Sequence, residues 1–257
     1  MTIPVPAPRR KKGWMTLKVT RIEDETWDTK TFFLEDSVEG GCPFDYIAGQ
    51  YLTLRFDKIA ERPVARSYTM SSSPNQPGFS ALTIKRVEHG LVSNWMCDSL
   101  KVGDEVKALG PIGKFCYDPN TFQPHLIMLG AGSGVTPFVS MVRQYADKLG
   151  QEGAPKEMTL LVAYRSKIDL ISWDELRELN KIPGVNIVTT LTREDAQDEG
   201  FLHGRPDAQM FSRVLEGTYA NSSYMTCGPE AMMELFVEFL KEKGVPPEHI
   251  HLESFGN

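Results

Sequence analysis

The pattern of apolar residues changes near residue 120, and this change constrains the fold more than any other feature of the sequence. Before it, short segments rich in β-branched and aromatic residues alternate with Gly, Pro, Asn and Asp. A series of short strands interrupted by a single helix predicts a small antiparallel β-barrel. The predicted strands are 15–22, 30–35, 51–56, 81–87 and 104–109, and the predicted helix is 91–100.

After residue 120 the pattern becomes strand, helix, strand, helix, with a repeat of about 30 residues, which predicts a parallel sheet covered by helices on both faces. The predicted strands are centred near Ile127, Leu161, Val188, Met225 and Leu252, and the predicted helices are 136–149, 172–180 and 229–244. We therefore predict a basic, proline-rich arm (1–13), a barrel domain (14–119) and an α/β domain (120–257). Ligands are expected in the cleft between the two domains.

Composition narrows the possible functions of the 257-residue chain. The basic run 9–12 leaves the rest of the chain with 24 positive against 34 negative residues, so we expect no nucleic-acid partner. This run is either a solvated tail or a docking arm for an acidic partner. No apolar run reaches the roughly 18 residues of a membrane span, and the N-terminus is unlike a secretory signal, so a cytoplasmic location is predicted.

The four cysteines, Cys42, Cys97, Cys116 and Cys227, form no CxxC pair, so no zinc or iron–sulfur site is expected. A glycine-rich loop stands out instead. Gly130, Gly132 and Gly134 follow a predicted strand and precede a predicted helix, where a backbone loop can hold a phosphate. The loop departs from GxGxxG because Val135 replaces the third glycine, and a plain tight turn remains the alternative.

Five motifs resemble, in the same order, those of the ferredoxin–NADP reductase superfamily of flavin-dependent pyridine-nucleotide oxidoreductases. They are RSYT (66–69), GLVSNWM (90–96), GPIGKF (110–115), GAGSGVTP (130–137) and CGPEAMM (227–233), with ESF (253–255) near the end of the chain. The resemblance extends over residues 14–257. It implies an FAD-binding barrel followed by an NADP-binding α/β domain.

For the flavin, the resemblance implies that Arg66 pairs with a phosphate, Tyr68 lies against the isoalloxazine ring and Thr69 bonds near N5. The Ser93 hydroxyl either adds a donor to the pyrophosphate or caps the helix. Phe255 replaces a terminal tyrosine of plant-type members and would cover the other flavin face. The implied FAD-binding residues are Arg66, Ser67, Tyr68, Thr69, Lys85, Val87, Gly90, Leu91, Val92, Ser93 and Phe255. From the residues alone, a surface strand with a solvated arginine remains possible.

For the nicotinamide nucleotide, the resemblance implies Gly130, Gly132, Gly134, Thr136, Pro137, Arg165, Thr192, Arg193, Arg205, Cys227, Gly228 and Pro229. Thr69, Cys227 and Glu253 would form the catalytic set. The three arginines favour NADPH, whereas Asp169 and Asp195 nearby keep NADH open.

The predicted activity is hydride transfer from NADPH to FAD, followed by release of single electrons to a separate ferredoxin or flavodoxin. The chain lacks cysteines for its own cluster, and a monomer is expected. Two alternatives remain: an NADH-dependent reductase component of an oxygenase or a free flavin reductase, and a non-catalytic flavin- or nucleotide-binding subunit. An acceptor would meet a basic patch, for which the candidates are Arg9 to Lys12, Lys58, Arg62 and Arg86.

Overall fold

The computed structural model of the chain describes residues 13–76 and 78–255. Its first sheet is antiparallel and has the strand order β4-β3-β6-β1-β2-β5. The two edge strands, β4 and β5, approach each other at an isolated bridge between Met70 and Leu82, which closes the sheet into a barrel. The strands are β1 (Met15–Thr26), β2 (Thr29–Asp36), β3 (Tyr51–Phe56), β4 (Val64–Thr69), β5 (Ser80–Lys85) and β6 (Glu105–Ile112).

Alternation of apolar and polar residues fills the barrel. In β3, Leu52, Leu54 and Phe56 point inward and are buried, while the residues between them are half-exposed. Helix α1 (Leu91–Ser99) packs Val92 and Met96 into the same core. The barrel is therefore a packed body, and any ligand must lie on its outside.

The second sheet is entirely parallel, with the order β10-β9-β8-β7-β11-β12. Its strands are β7 (His125–Ala131), β8 (Glu157–Tyr164), β9 (Val185–Leu191), β10 (Leu202–His203), β11 (Ser222–Cys227) and β12 (Ile250–Glu253). Its helices are α2 (Thr136–Tyr145), α3 (Trp173–Leu179), α4 (Ala208–Val214) and α5 (Glu230–Glu242). One apolar cluster packs α2 and α3 against the sheet and another packs α4 and α5, so both faces are covered.

These two sheets confirm the predicted barrel followed by a parallel α/β sheet. Strand β4 was anticipated only as a possible surface strand, and helix α4 and strand β10 were not predicted. Strand β10 has only two residues, and α4 is seven residues long, although Asp207 caps it by accepting from the Met210 N–H. Helix α2 also ends earlier than predicted, at Tyr145, and continues as a 3-10 turn.

The predicted domain boundary at residue 119 stays a prediction, and it falls between the last strand of the barrel and the first strand of the second sheet. The basic run 9–12 lies outside the described residues. Among residues 13–76 and 78–255, no helix is long and apolar enough to cross a membrane.

Candidate functional site

Strand β4 carries the RSYT motif along one edge of the first sheet. Arg66 is exposed, and its Nη1 donates only to the neighbouring Ala65 carbonyl, at 2.8 Å, with no ionic partner among the residues described. Tyr68 is half-buried, and burial raises the pKa of its hydroxyl to about 12 although Arg66 lowers it. Thr69 is buried. The strand thus presents an unpaired cation, an aromatic ring and a hydroxyl in succession.

The N-terminus of α1 lies beyond the other barrel edge, β5, and Gly90 occupies the N-cap position without a side-chain cap. A Cβ at Gly90 would lie 2.6 Å from the Ser93 Oγ, so only glycine fits there. The possible N-cap role of Ser93 is wrong, because its hydroxyl instead accepts from the Val87 N–H at 3.2 Å. The first N–H groups of the helix, at Leu91, Val92 and Ser93, therefore have no intrahelical partners and suit a phosphate.

Lys85, at the end of β5, is held by an acid of the barrel. Its Nζ lies 2.5 Å and 2.6 Å from the two carboxylate oxygens of the buried Asp28. Burial would raise the pKa of Asp28, but hydrogen bonds from Lys85, Thr26 and Thr29 outweigh it, and the pKa lies below its usual value. Lys85 is therefore already paired, unlike Arg66, while Val87 is exposed nearby.

The glycine loop forms a 3-10 turn, Gly132–Val135, between β7 and α2, and this turn packs against β5 of the barrel. A Cβ at Gly134 would lie 2.4 Å from the Cys227 carbonyl oxygen, so the loop rests directly on the end of β11. Gly132 has a φ of +53°, and a Cβ there would meet nothing within 4 Å. The buried Thr136 bonds within the loop, to the Ser133 carbonyl. This turn has the shape and open side of a phosphate cradle.

Cys227 and Glu253 end adjacent parallel strands in register, with Gly130 on the other side of Cys227. Cys227 is fully buried, and burial together with Glu253 raises the pKa of its thiol to about 12. Burial also raises the pKa of Glu253. Cys116, which was not predicted, lies close enough that burial and Glu253 raise its pKa to about 11. Both thiols therefore stay protonated at neutral pH.

A cleft of about 550 Å³ opens beside Glu253, and the residues of β12 line it together with Met225 of β11. Lys114 and Cys116, in the chain segment that follows the last barrel strand, line one side of the cleft. On the other side, the His251 ring stacks on Phe122 with centroids 4.2 Å apart. Glu253 was predicted for this site, whereas Cys116, which directly follows the GPIGKF motif, was not.

The three predicted NADPH arginines gather at the carboxyl edge of the second sheet. The Arg193 N–H donates to the Arg165 carbonyl at 2.8 Å, and the Gly204 N–H, next to Arg205, donates to the Leu191 carbonyl at 2.9 Å. All three side chains are exposed and have no ionic partner in the described part of the chain, whereas Lys167 beside them pairs with two glutamates. Thr192 is half-buried directly before Arg193, and its N–H donates to the Tyr164 carbonyl, while Gly228 and Pro229 follow β11.

Asp169 and Asp195, the two acids that left NADH possible as the nucleotide, both accept hydrogen bonds from other residues. Asp169 accepts from the Ser166 N–H and hydroxyl and from the Trp27 indole, and Asp195 accepts from Gln197. At the end of the chain, Phe255 is 41 % exposed. The sheet edge is thus lined by unpaired arginines and by acids that already have donors.

Residues 71–75, which we name the serine strap, follow strand β4 and bond to helix α2. Ser140 donates to the Ser72 carbonyl at 2.6 Å, and Arg143 donates to the Ser71 carbonyl at 2.6 Å. The three serines of the strap are buried. Because the strap follows β4 directly and α2 follows the glycine loop, these bonds fix the two predicted cofactor-binding segments relative to each other. The sequence motif SSSP gave no signal for this role.

The family model described as oxidoreductase FAD-binding domain matches residues 16–117, and the oxidoreductase NAD-binding domain matches residues 128–238. The glycine betaine monooxygenase reductase subunit of Chromohalobacter salexigens is 32 % identical over 98 % of this chain and 67 % of its own length. The ferredoxin reductase component of 3-ketosteroid-9-alpha-monooxygenase from Rhodococcus rhodochrous is 30 % identical over 100 % of this chain and 68 % of its own length. The chain belongs to the ferredoxin reductase superfamily.

Among solved structures, the FAD/NAD-binding domain of nitric oxide dioxygenase from Vibrio cholerae is similar, with a TM-score of 0.80 and 25 % identity. The match covers 96 % of this chain and all of that domain. The chain spans about two thirds of the length of the curated relatives it matches. The ferredoxin reductase family and the two matched domains identify the chain as an oxidoreductase that uses FAD and a nicotinamide nucleotide.

The residues of this family member fit both cofactors. The uncapped N-terminus of α1 and the unpaired Arg66 offer donors for the phosphates of FAD, and the glycine loop leaves an open cradle at Gly132. We find no group of three or more potential metal ligands within the described ranges. The roles assigned to individual residues remain predictions, which the geometry makes specific enough to test.

Proposed function

We propose that this ferredoxin reductase-type enzyme takes a hydride from NADPH onto FAD and then delivers single electrons to a separate protein carrier. The flavin supplies the conversion of a two-electron donor into one-electron steps. The observation that carries the proposal is the serine strap. It ties the strand predicted to hold the flavin to the helix that follows the predicted nucleotide loop, through bonds of 2.6 Å. Such fixed geometry suits direct transfer between two bound rings.

Thr69, Cys227 and Glu253 are the proposed catalytic residues. Thr69 and Cys227 would flank the path of the hydride, and both are buried, which keeps water away from it. Because its pKa is raised to about 12, the Cys227 thiol would meet the nicotinamide as a neutral group and would not compete as a nucleophile. Glu253, with its raised pKa, would hold or release a proton beside them.

The choice of NADPH over NADH is supported by Arg165, Arg193 and Arg205. Three exposed guanidinium groups without ionic partners in the described chain, on adjacent loops, suit the 2′-phosphate of NADPH. An NADH site would instead present a free acid to the ribose, but Asp169 and Asp195 already accept from other groups.

Ferredoxin or flavodoxin is the first candidate for the carrier. Of the candidate basic patch, Arg86 is paired with Asp98, which leaves the exposed Lys58 and Arg62 as the described residues for steering an acidic carrier. The second candidate is an oxygenase component, which the names of the two monooxygenase relatives favour. Charge reversal of Lys58 and Arg62 together should slow carrier reduction and reduce its dependence on salt.

The decisive test is anaerobic stopped-flow mixing of the purified protein with NADPH or NADH while the flavin absorbance is followed. Fast bleaching by NADPH and slow bleaching by NADH would support the whole proposal. The reverse preference would retain the reaction and remove the role of the three arginines. A protein without bound flavin, or one bleached by neither nucleotide, would favour the non-catalytic binding subunit instead.

The same preparation separates the acceptors. Ferredoxin, flavodoxin, an oxygenase component and free FMN are offered in turn after reduction, and the rate of reoxidation is compared. Reduction of free FMN as fast as any protein carrier would favour a free flavin reductase.

A further inference from the structure

Trp27 is the most exposed of the four tryptophans, with 68 % of its surface accessible. It lies in the two-residue turn between β1 and β2, at the tip of a hairpin of the barrel. A single exposed aromatic residue is not unusual in itself. What distinguishes Trp27 is that the turn and the ring are both fixed while a large part of the indole stays open to solvent.

The turn is fixed by the residue that follows. Asp28 is buried, and its carboxylate accepts from Thr26, Thr29 and Lys85, each within 2.9 Å. Its carbonyl accepts from the Arg86 N–H at 2.8 Å. A turn with all these bonds has few alternative conformations, so the base of the Trp27 side chain is held in one position.

The ring is fixed by the other domain. The Trp27 Nε1 donates to Asp169 Oδ1 at 3.2 Å, and Asp169 Oδ2 accepts from the Ser166 N–H and hydroxyl at 3.1 Å and 2.8 Å. Asp169 therefore joins the hairpin of the barrel to the turn that follows β8. That turn begins beside Arg165, one of the three unpaired arginines at the carboxyl edge of the sheet.

We propose that Trp27 stacks on the adenine ring of the nicotinamide nucleotide, so that the flavin-binding barrel contributes part of the nucleotide site. The inference rests on the proposed function, and it adds a residue outside the glycine loop and the arginines. An open indole face next to a cationic sheet edge combines the stacking surface and the phosphate ligands that an adenosine phosphate needs. The indole N–H donates to Asp169, and the Lys85 Nζ lies over one face of the ring at 6.0 Å from its centroid, so the ring would stack through its other face.

The experiment measures binding by calorimetry on the FAD-loaded protein, with half-molecules of the nucleotide as probes. ADP-ribose and 2′-phospho-ADP-ribose contain the adenine, and nicotinamide mononucleotide does not. Trp27→Ala should weaken both adenine-containing probes by about tenfold, which is the scale of one base stacked on an aromatic ring. Trp27→Phe should recover most of the loss, and nicotinamide mononucleotide should bind unchanged.

Trp14→Ala is the matched control, because Trp14 is also an exposed tryptophan of the barrel, at 46 %. Arg193→Met is a second comparison, which should weaken only the probe with the 2′-phosphate. If Trp27→Ala and Trp14→Ala bound the adenine-containing probes with equal affinity, the inference would be overturned. Loss of FAD in Trp27→Ala with unchanged binding of ADP-ribose would also overturn it, because that result would assign the ring to the flavin's adenine.

A failure of the proposed function would look different. The wild-type protein would then bind neither adenine-containing probe, and its flavin would not be bleached by NADPH or NADH. If the wild-type protein bound ADP-ribose more tightly than 2′-phospho-ADP-ribose, the choice of NADPH would be overturned. A tenfold loss of affinity for ADP-ribose in Trp27→Ala would still support the role of Trp27.

Discussion

Replacing Arg143 with methionine is expected to lower the free energy of unfolding by about 2–3 kcal/mol. The Arg143 side chain is 18 % exposed, and its Nη1 donates to the Ser71 carbonyl of the serine strap at 2.6 Å. The other nitrogens of its guanidinium bind the Glu175 carboxylate. Methionine keeps much of the apolar length of arginine but makes none of these bonds.

The expected magnitude comes mainly from one of the two contacts. A hydrogen bond from a charged donor contributes about 1.5–3 kcal/mol, and its loss would leave the Ser71 carbonyl without this donor. The Glu175 side chain is 42 % exposed, so solvent screens that pair and its share is about 0–1 kcal/mol. For a chain of this size, a loss of 2–3 kcal/mol corresponds to a melting temperature lower by roughly 5–10 °C.

Thermal unfolding of the FAD-loaded protein, followed by flavin fluorescence and far-UV circular dichroism, measures this shift. Arg213→Met is the matched control, because Arg213 is exposed in the last turn of α4 and has no ionic partner among the described residues. Arg143→Lys should recover part of the loss by keeping the charge without the planar fork. A melting temperature for Arg143→Met within about 2 °C of the control would refute the reasoning.

Three further outcomes are expected. Gly134→Ala should lower the free energy of unfolding by about 3 kcal/mol and abolish binding of NADP⁺ in calorimetry, because its Cβ would lie 2.4 Å from the Cys227 carbonyl oxygen. Gly132→Ala has open space around it and should lower the free energy of unfolding by only about 1 kcal/mol, the strain of its positive φ. Iodoacetamide at pH 8 should alkylate Cys227 at least about 100-fold more slowly in the native than in the urea-unfolded protein, by peptide mass spectrometry, because burial raises the pKa of this thiol to about 12. Lys85→Met should lower the free energy of unfolding, measured with urea at pH 7, by about 3 kcal/mol. Because the folded pKa of Asp28 lies below its unfolded value, this difference should be complete above about pH 4 and shrink as the pH falls through the folded pKa; a difference independent of pH would contradict the pairing.

Much of the candidate site was predicted from local motifs. The residues of RSYT form the edge strand β4, and the glycine loop forms a tight turn before α2, as the sequence indicated. Other parts gave no local signal. Cys116 approaches Glu253 across 137 positions of sequence, and Trp27 reaches Asp169 across 142 positions. Ser93 was open to two interpretations, and the bond from the Val87 N–H excluded the N-cap role.

The sequence by itself determined the two sheets, their order along the chain and the loops that would hold phosphates, because the period of apolar residues and the positions of glycines act over a few neighbours. Only the tertiary structure decided how the two domains are joined. The serines at 71–73 look like an ordinary polar turn in the sequence, yet they are buried. Ser140 and Arg143, about 70 positions later, satisfy the carbonyls of Ser72 and Ser71, and the Ser73 hydroxyl donates to the Arg143 carbonyl. A buried polar segment is stable only when such partners exist, and partners supplied by a distant helix leave no pattern in the local sequence.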